Sequence, residues 1–204
     1  MSRGTVGMCA TFAVLCALGF AAQAHAQDDV TWTIDGAHSH VGFKVRHMMV
    51  SWVRGQFTKA DGTITFDGSN LKRASAEISI DVTSIDTEVT KRDEHLKSAD
   101  FFDVENHPTI TFRSTKVKPG NNDTFQLVGD LTLKGVTQAV TLDVEGGLTP
   151  VSDPWGNTKL GFTATAAIDR QDFGITWNSS LDGGGLVVGD EIHLIIEVEL
   201  NKDS

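Results

Sequence analysis

Apolar and polar side chains alternate along almost the whole chain, and that period of two constrains the fold more than any other feature. Val30, Trp32 and Ile34 alternate with Thr31 and Thr33, and Val41, Phe43 and Val45 with Gly42, Lys44 and Arg46. Successive side chains of a strand face opposite sides, so this period writes strands with one apolar face. The same pattern recurs over residues 53–57, 62–66, 76–82, 109–114, 124–133, 136–148, 159–169 and 190–200. Turn formers punctuate it: Asp35 and Gly36, Ala60 and Asp61, Asp67 to Asn70, Pro119 to Asp123, and Lys134 with Gly135. Residues 150–157 read as a longer loop and 170–189 as irregular. Eight to ten or so short strands on short turns predict an all-β, antiparallel architecture, either a closed barrel or a sandwich. Glycines within or beside the strands (Gly42, Gly55, Gly62, Gly129, Gly161) favour the barrel, whose curvature needs bends.

The alternation breaks once, over residues 84–112, SIDTEVTKRDEHLKSADFFDVENHPTITF, where helical spacing takes over. Asp86 or Thr87 is placed to cap the helix start, and Val89, Leu96 and Ala99 fall on one helical face. Arg92 and Asp93 interrupt that stripe, with His95 alongside. Two readings stand: the charged pair pins the helix onto the sheet, or it lines a cavity mouth and meets a ligand head group. Pro108 returns the chain to an extended state.

Residues 1–26 read as a cleaved signal peptide, with Arg3, an apolar run over 8–22, and a small-x-small site at Ala24-His25-Ala26. Both cysteines, Cys9 and Cys16, lie within it, and Leu15 before Cys16 argues against a lipid anchor. Residues 27–204 then form one domain that relies on its core rather than on disulfides. With 17 basic against 27 acidic residues and a net charge of −10, a nucleic-acid partner is not expected. Adhesion to anionic lipid is also disfavoured, and short-lived membrane contact is compatible with the composition.

Phe43, Phe57, Phe66, Phe112, Phe125 and Phe162 supply large apolar side chains to separate strands. Pointing inward, they either fill a barrel or line a cavity, because an eight-stranded barrel is just plugged by side chains or holds one small ligand. His38 and His40 offer two imidazoles on one strand face, with His47, Asp35 or another carboxylate from a neighbouring strand to complete a metal set; a hydrogen-bonded structural role is the competing reading. His107 reads as a loop residue. Ser39, Ser51 and Ser98 lack a nucleophile-elbow context, and Gly183 to Gly185 lack a phosphate loop's lysine and helix, so no catalytic residues are expected. Asp169, Arg170 and Asp172 read as an ion-pair knot.

The segments IDGAHSHVGFKVRHMMVSWVRGQF, the helical stretch above, GDLTLKGVTQAVTLDV, DPWGNTKLGFTATAAIDRQDFGITWN and VVGDEIHLIIEVEL together resemble the YceI-like, polyisoprenoid-binding family, in order and over essentially all of residues 27–204. The most specific parts are Arg92 to Phe102 and Asp169 to Gly174. The resemblance implies a lipocalin-like antiparallel barrel of about eight strands with a short helical lid and a long apolar cavity. It implies an exported, periplasmic binding protein, not an enzyme, that holds an isoprenoid chain such as a polyprenyl phosphate or quinone, without a cofactor, in a family with links to stress responses; a homodimer is compatible with it. Strands of about nine residues would give a barrel roughly 30 Å tall, enough to cover a prenyl chain. On this reading Phe43, Phe57, Phe66, Phe112, Phe162 and Trp177 form the cavity wall, and Arg92, His95, Arg170 and Asn178 are head-group candidates. Met48 and Met49 depart from the shorter turn expected of the family, and would narrow or adapt the entrance. The competing readings are a metal- or quinone-dependent redox accessory protein using His38, His40 and His47, and a structural barrel plugged by its own phenylalanines.

Overall fold

The computed structural model describes residues 30–203 except Ser69 and Gly183, together with Met1. The expected leader and its two cysteines lie outside the described residues. The strands are β1 (Thr31–Ile34), β2 (His40–His47), β3 (Ser51–Phe57), β4 (Ala60–Thr65), β5 (Ser75–Asp81), β6 (Ile85–Asp86), β7 (Thr109–Pro119), β8 (Thr124–Leu133), β9 (Val136–Ser152), β10 (Thr158–Asp169) and β11 (Val188–Lys202), with one α-helix, α1 (Thr90–Lys97), between β6 and β7.

Every pairing is antiparallel, in the order β1-β4-β5-β7-β8-β9-β10-β11, and β1 pairs again with β11 to close an eight-membered ring. β2, β3 and β6 continue β1, β4 and β5 beyond short breaks: β2 lies along β11, β3 along β2, and β6 along β3. Neighbours in the ring are thus neighbours in sequence, the up-and-down arrangement of a lipocalin-like barrel, although β6 is paired on one side only, by β3. Register shifts between Lys159 and Gly161, Ser114 and Lys116, and Val188 and Ile192 supply local bends. The Lys134-Gly135 turn forms as expected, with both residues at positive φ (49° and 74°), as a tight hairpin between β8 and β9 requires.

Inward positions follow the alternation. Ile110 and Phe112 on β7, Leu131 and Leu133 on β8, and Val140, Leu142 and Val144 on β9 are buried in the main apolar cluster, together with Phe101, Phe173 and Ile175 from the segments over one barrel end. Trp32, Phe66, Leu160 and Leu200 form a second cluster, where the Trp32 indole N–H donates to the Phe66 carbonyl at 3.1 Å. Among the described residues no helix is long and apolar enough to cross a membrane.

The helix differs from the expectation. It begins at Thr90, its N-cap Val89 makes no side-chain cap, and Val89 and Ala99 are exposed. Of the expected apolar face Leu96 packs on the core. Eight residues give little more than two turns, so the helix is fastened at its ends rather than along a stripe.

Candidate functional site

The barrel encloses a cavity of about 280 Å³. Its lining includes Ile34, Phe66 and Leu200 from the second cluster and Phe101, Phe112 and Ile175 from the main one, so it runs from one cluster to the other. The wall is apolar apart from Ser75 and the buried Arg170.

Three wall phenylalanines lie against glycines of a neighbouring strand. A methyl group added to Gly55 would stand 2.5 Å from the Phe43 ring, one on Gly129 2.4 Å from Phe112, and one on Gly146 2.8 Å from Phe162. Phe43 is opposite Gly55, and Phe162 opposite Gly146, in the strand register. With no side chain on the glycine, the ring settles onto the neighbouring backbone, and the lumen stays open.

Phe43, Phe57, Phe66, Phe112 and Phe162 all line this cavity, as does Phe125. Trp177 packs one layer out, with its ring 5.1 Å from Phe101 and 4.9 Å from His95. The aliphatic inward face of β11, with Ile192, Leu194 and Ile196, and the lid residues Leu96, Phe101 and Phe102 belong to the wall as well. The period of two marked the first group; the lid residues carried no signal of direction, since Phe101 and Phe102 lie between regular elements.

The four head-group candidates separate. Arg170 reaches the wall, donating from Nε to the Gly189 carbonyl at 3.0 Å, from Nη1 to the carbonyls of Ile175 (2.6 Å) and Trp177 (2.9 Å), and from Nη2 to Asp190 Oδ1 at 2.8 Å. Four of about five donors are thus engaged within the chain. The expected knot with Asp169 and Asp172 is replaced by this set: Asp169 instead accepts from the Gln171 amide at 2.8 Å. Arg92 donates from Nε to Thr87 Oγ1 (2.7 Å) and from Nη2 to the Thr87 carbonyl (2.6 Å), while Asp93 accepts from the Thr87 amide and hydroxyl. His95 bonds Asp100 at 2.9 Å, and Asn178 bridges to both the N–H and C=O of Val188. The last three are not among the cavity-lining residues. Met48 and Met49 are exposed at the β2–β3 tip and do not line it either, so the expected narrowing of the entrance is not made.

The three histidines considered for a metal do not converge. His38 sits between β1 and β2, His40 folds its ring over Gly42, and His47 ends β2, roughly 23 Å along the strand from His40 at about 3.3 Å per residue. Of the expected partners, Asp35 and a carboxylate from a neighbouring strand, Glu199, do meet His38, with ligand atoms within 4.8 Å of one another. Lys159 Nζ already bonds both carboxylates, at 2.9 Å to Asp35 and 2.8 Å to Glu199, supplying the positive charge a metal would bring. Hydrogen bonds from Lys159 and then His38 hold the Asp35 carboxyl well below the usual range, and the same carboxylates raise the Lys159 ammonium. This knot ties the β1–β2 corner to β10 and β11.

Residues 32–200 match the family model for the YceI-like domain. The chain is 39% identical over 199 residues to Protein YceI of Escherichia coli O6:H1, covering 98% of this chain and 97% of that one. Among solved structures it is similar to Burkholderia cenocepacia BcnA, with a TM-score of 0.72 and 25% identity over 81% of this chain and 98% of the other. A polyisoprenoid binding domain from Saccharophagus degradans shares the fold, with a TM-score of 0.62 and 14% identity over 84% of this chain and 98% of that one.

Proposed function

The chain belongs to the YceI-like domain family, and from that premise we propose that it is a periplasmic carrier that holds an isoprenoid lipid in its barrel. One observation carries the reading: an apolar cavity that runs between the two core clusters and has three of its phenylalanines, Phe43, Phe112 and Phe162, laid back on glycines. Its volume, about 280 Å³, is just below the range of ordinary ligand pockets, roughly 300–1,000 Å³, and suits a slender tail lying lengthwise. At about 25 cal/mol per Å², burying roughly 300 Å² of tail contributes about 7.5 kcal/mol before ordering costs. Arg170 is the charged side chain at the wall, and its remaining Nη2 hydrogen is a donor for an oxygen-bearing head group, whether phosphate or quinone. Binding of this kind needs no bond to be made or broken. The export signal at residues 1–26 supports the periplasmic assignment.

The test is to purify the protein from its own cells without detergent, extract it with organic solvent and identify what leaves by mass spectrometry. A stoichiometric isoprenoid is expected, with its loss in Phe112→Asp. If nothing leaves, and added prenyl lipids also fail to bind, the carrier reading falls.

A further inference from the structure

The β2–β3 hairpin breaks a local rule. Its tip is a three-residue loop, Met48 to Val50 between the paired His47 and Ser51, whose turn is closed by the Val50 amide on the His47 carbonyl at 3.0 Å and in which Met48 and Met49 both take positive φ, 50° and 58°. Asn-Gly is the usual occupant of such a turn, and this chain uses lysine and glycine for it between β8 and β9. Two unbranched thioethers there are strained, and they are displayed to solvent: Met49 is 68% exposed and Val50 79%. Leu186 is exposed beside them, next to Val187, whose carbonyl accepts from the Met48 amide at 2.8 Å.

A second feature lies on the same hairpin. Lys44, Arg46 and Arg54 share its outer face, since Val45, Phe43 and Phe57 point into the cavity, and Lys44 and Arg54 stand directly opposite each other. Like charges in that relation repel. None of the three makes an ion pair among the described residues, although the chain carries a net charge of −10. The acids at the start of β11 are taken up elsewhere, Asp190 by Arg170 and Glu191 by His193. Asp86 and Glu88, on and after the adjoining β6, do not pair with Arg54. Trp52 lies between these cations, its ring 4.1 Å from the Arg46 guanidinium and 4.9 Å from Lys44.

We propose that this hairpin docks the protein on an anionic lipid surface, with the Met48, Met49 and Val50 tip entering the bilayer boundary and Lys44, Arg46 and Arg54 meeting lipid phosphates. The spacing fits. At about 3.3 Å per residue Arg46 stands roughly 7 Å and Lys44 and Arg54 roughly 13 Å behind the tip, against an insertion depth of about 5–10 Å for interfacial apolar segments. Tryptophan and basic side chains at that level are the usual interfacial anchors. Val45 and Val188 on the inner side of the same end line the cavity, so docking sets that end of the lumen against the bilayer. The docking stands without regard to what the cavity holds; its use in loading a lipid rests on the carrier reading.

The test is co-sedimentation of the native protein, in the form its cells produce, with phosphatidylglycerol-containing and with pure phosphatidylcholine vesicles. Expected is a preference of about tenfold or more for the anionic vesicles, weakened by salt. Lys44→Glu/Arg54→Glu and Met49→Ser/Val50→Ser should each remove most of it while keeping the parent's circular dichroism and thermal transition, because Arg54, Met49 and Val50 are exposed and Lys44 is half-buried on the outer face of the sheet, away from the core. Equal binding to both vesicles, no binding, or variants that bind like the parent overturn the proposal. So does a concentration-dependent dimer lost in the tip variant without vesicle binding, which makes the tip a contact between copies. Vesicle binding by a protein that yields no isoprenoid on extraction leaves the docking standing and removes the carrier reading; the reverse result removes the docking alone.

Discussion

The Phe43 ring lies on the backbone of Gly55, its cross-strand partner, so closely that a methyl group there would meet the ring at 2.5 Å and Thr87 Cγ2 at 2.7 Å. Thr87 is held by its hydrogen bonds to Arg92 and Asp93, so in Gly55→Ala the Phe43 ring is the obstacle that swings into the lumen, and the Thr87 contact adds to the cost. The expected outcome is a loss of about 1–3 kcal/mol in stability, as for overpacked cores, and a larger proportional loss of prenyl-lipid affinity. Denaturant unfolding and a lipid-binding titration on the same variant check it; unchanged affinity would mean that the ring does not guard the lumen.

Thr87 is buried, and its hydroxyl donates to Asp93 Oδ1 while accepting from Arg92 Nε. Asp93→Ala leaves that hydroxyl and the Thr87 amide without their acceptor. About 1–3 kcal/mol of destabilisation is expected, the cost of stranding buried donors, with the lid rather than the barrel loosening first. Urea unfolding measures the first part, and amide exchange resolved along the chain the second.

Arg170→Lys keeps the charge but not the planar fork that joins Gly189, Ile175, Trp177 and Asp190. A single ammonium cannot reach all four acceptors, so a loss of about 2–3 kcal/mol is expected, within the range for breaking charged hydrogen bonds. Chemical denaturation is the readout, and a variant as stable as the parent would show that the segment after β10 holds itself in place.

Acid should weaken the knot at Asp35. Its folded carboxyl titrates below the ordinary aspartate value of about 3.9, so its contribution is complete above that value and is lost as the pH falls through the folded one. Asp35→Asn is therefore less stable than the parent at neutral pH, and the difference closes progressively below about pH 4. Lys159 has the opposite sign: its raised value keeps the contribution below about pH 10.4 and loses it on further alkalinisation. A difference that stays constant into acid would exclude Asp35 as the group responsible.

The strands, the tight Lys134-Gly135 turn, the single helical interruption and the inward-facing phenylalanines were legible in the sequence, because all of them are local: period, turn chemistry and side-chain type are written in consecutive residues. Non-local relationships were decided by the tertiary structure. Whether the phenylalanines plug or line the barrel depends on glycines one strand away, as with Phe43 on Gly55 and Phe162 on Gly146. His38 looked like half of an H-x-H pair until the fold brought Glu199 and Lys159 to Asp35 beside it. Arg170 is held mainly by carbonyls, which every residue carries and no sequence pattern marks. The alternation determined that this chain has an apolar interior, while the register of a closed ring, which sets side chains from distant residues against one another, decided how much of that interior stays empty.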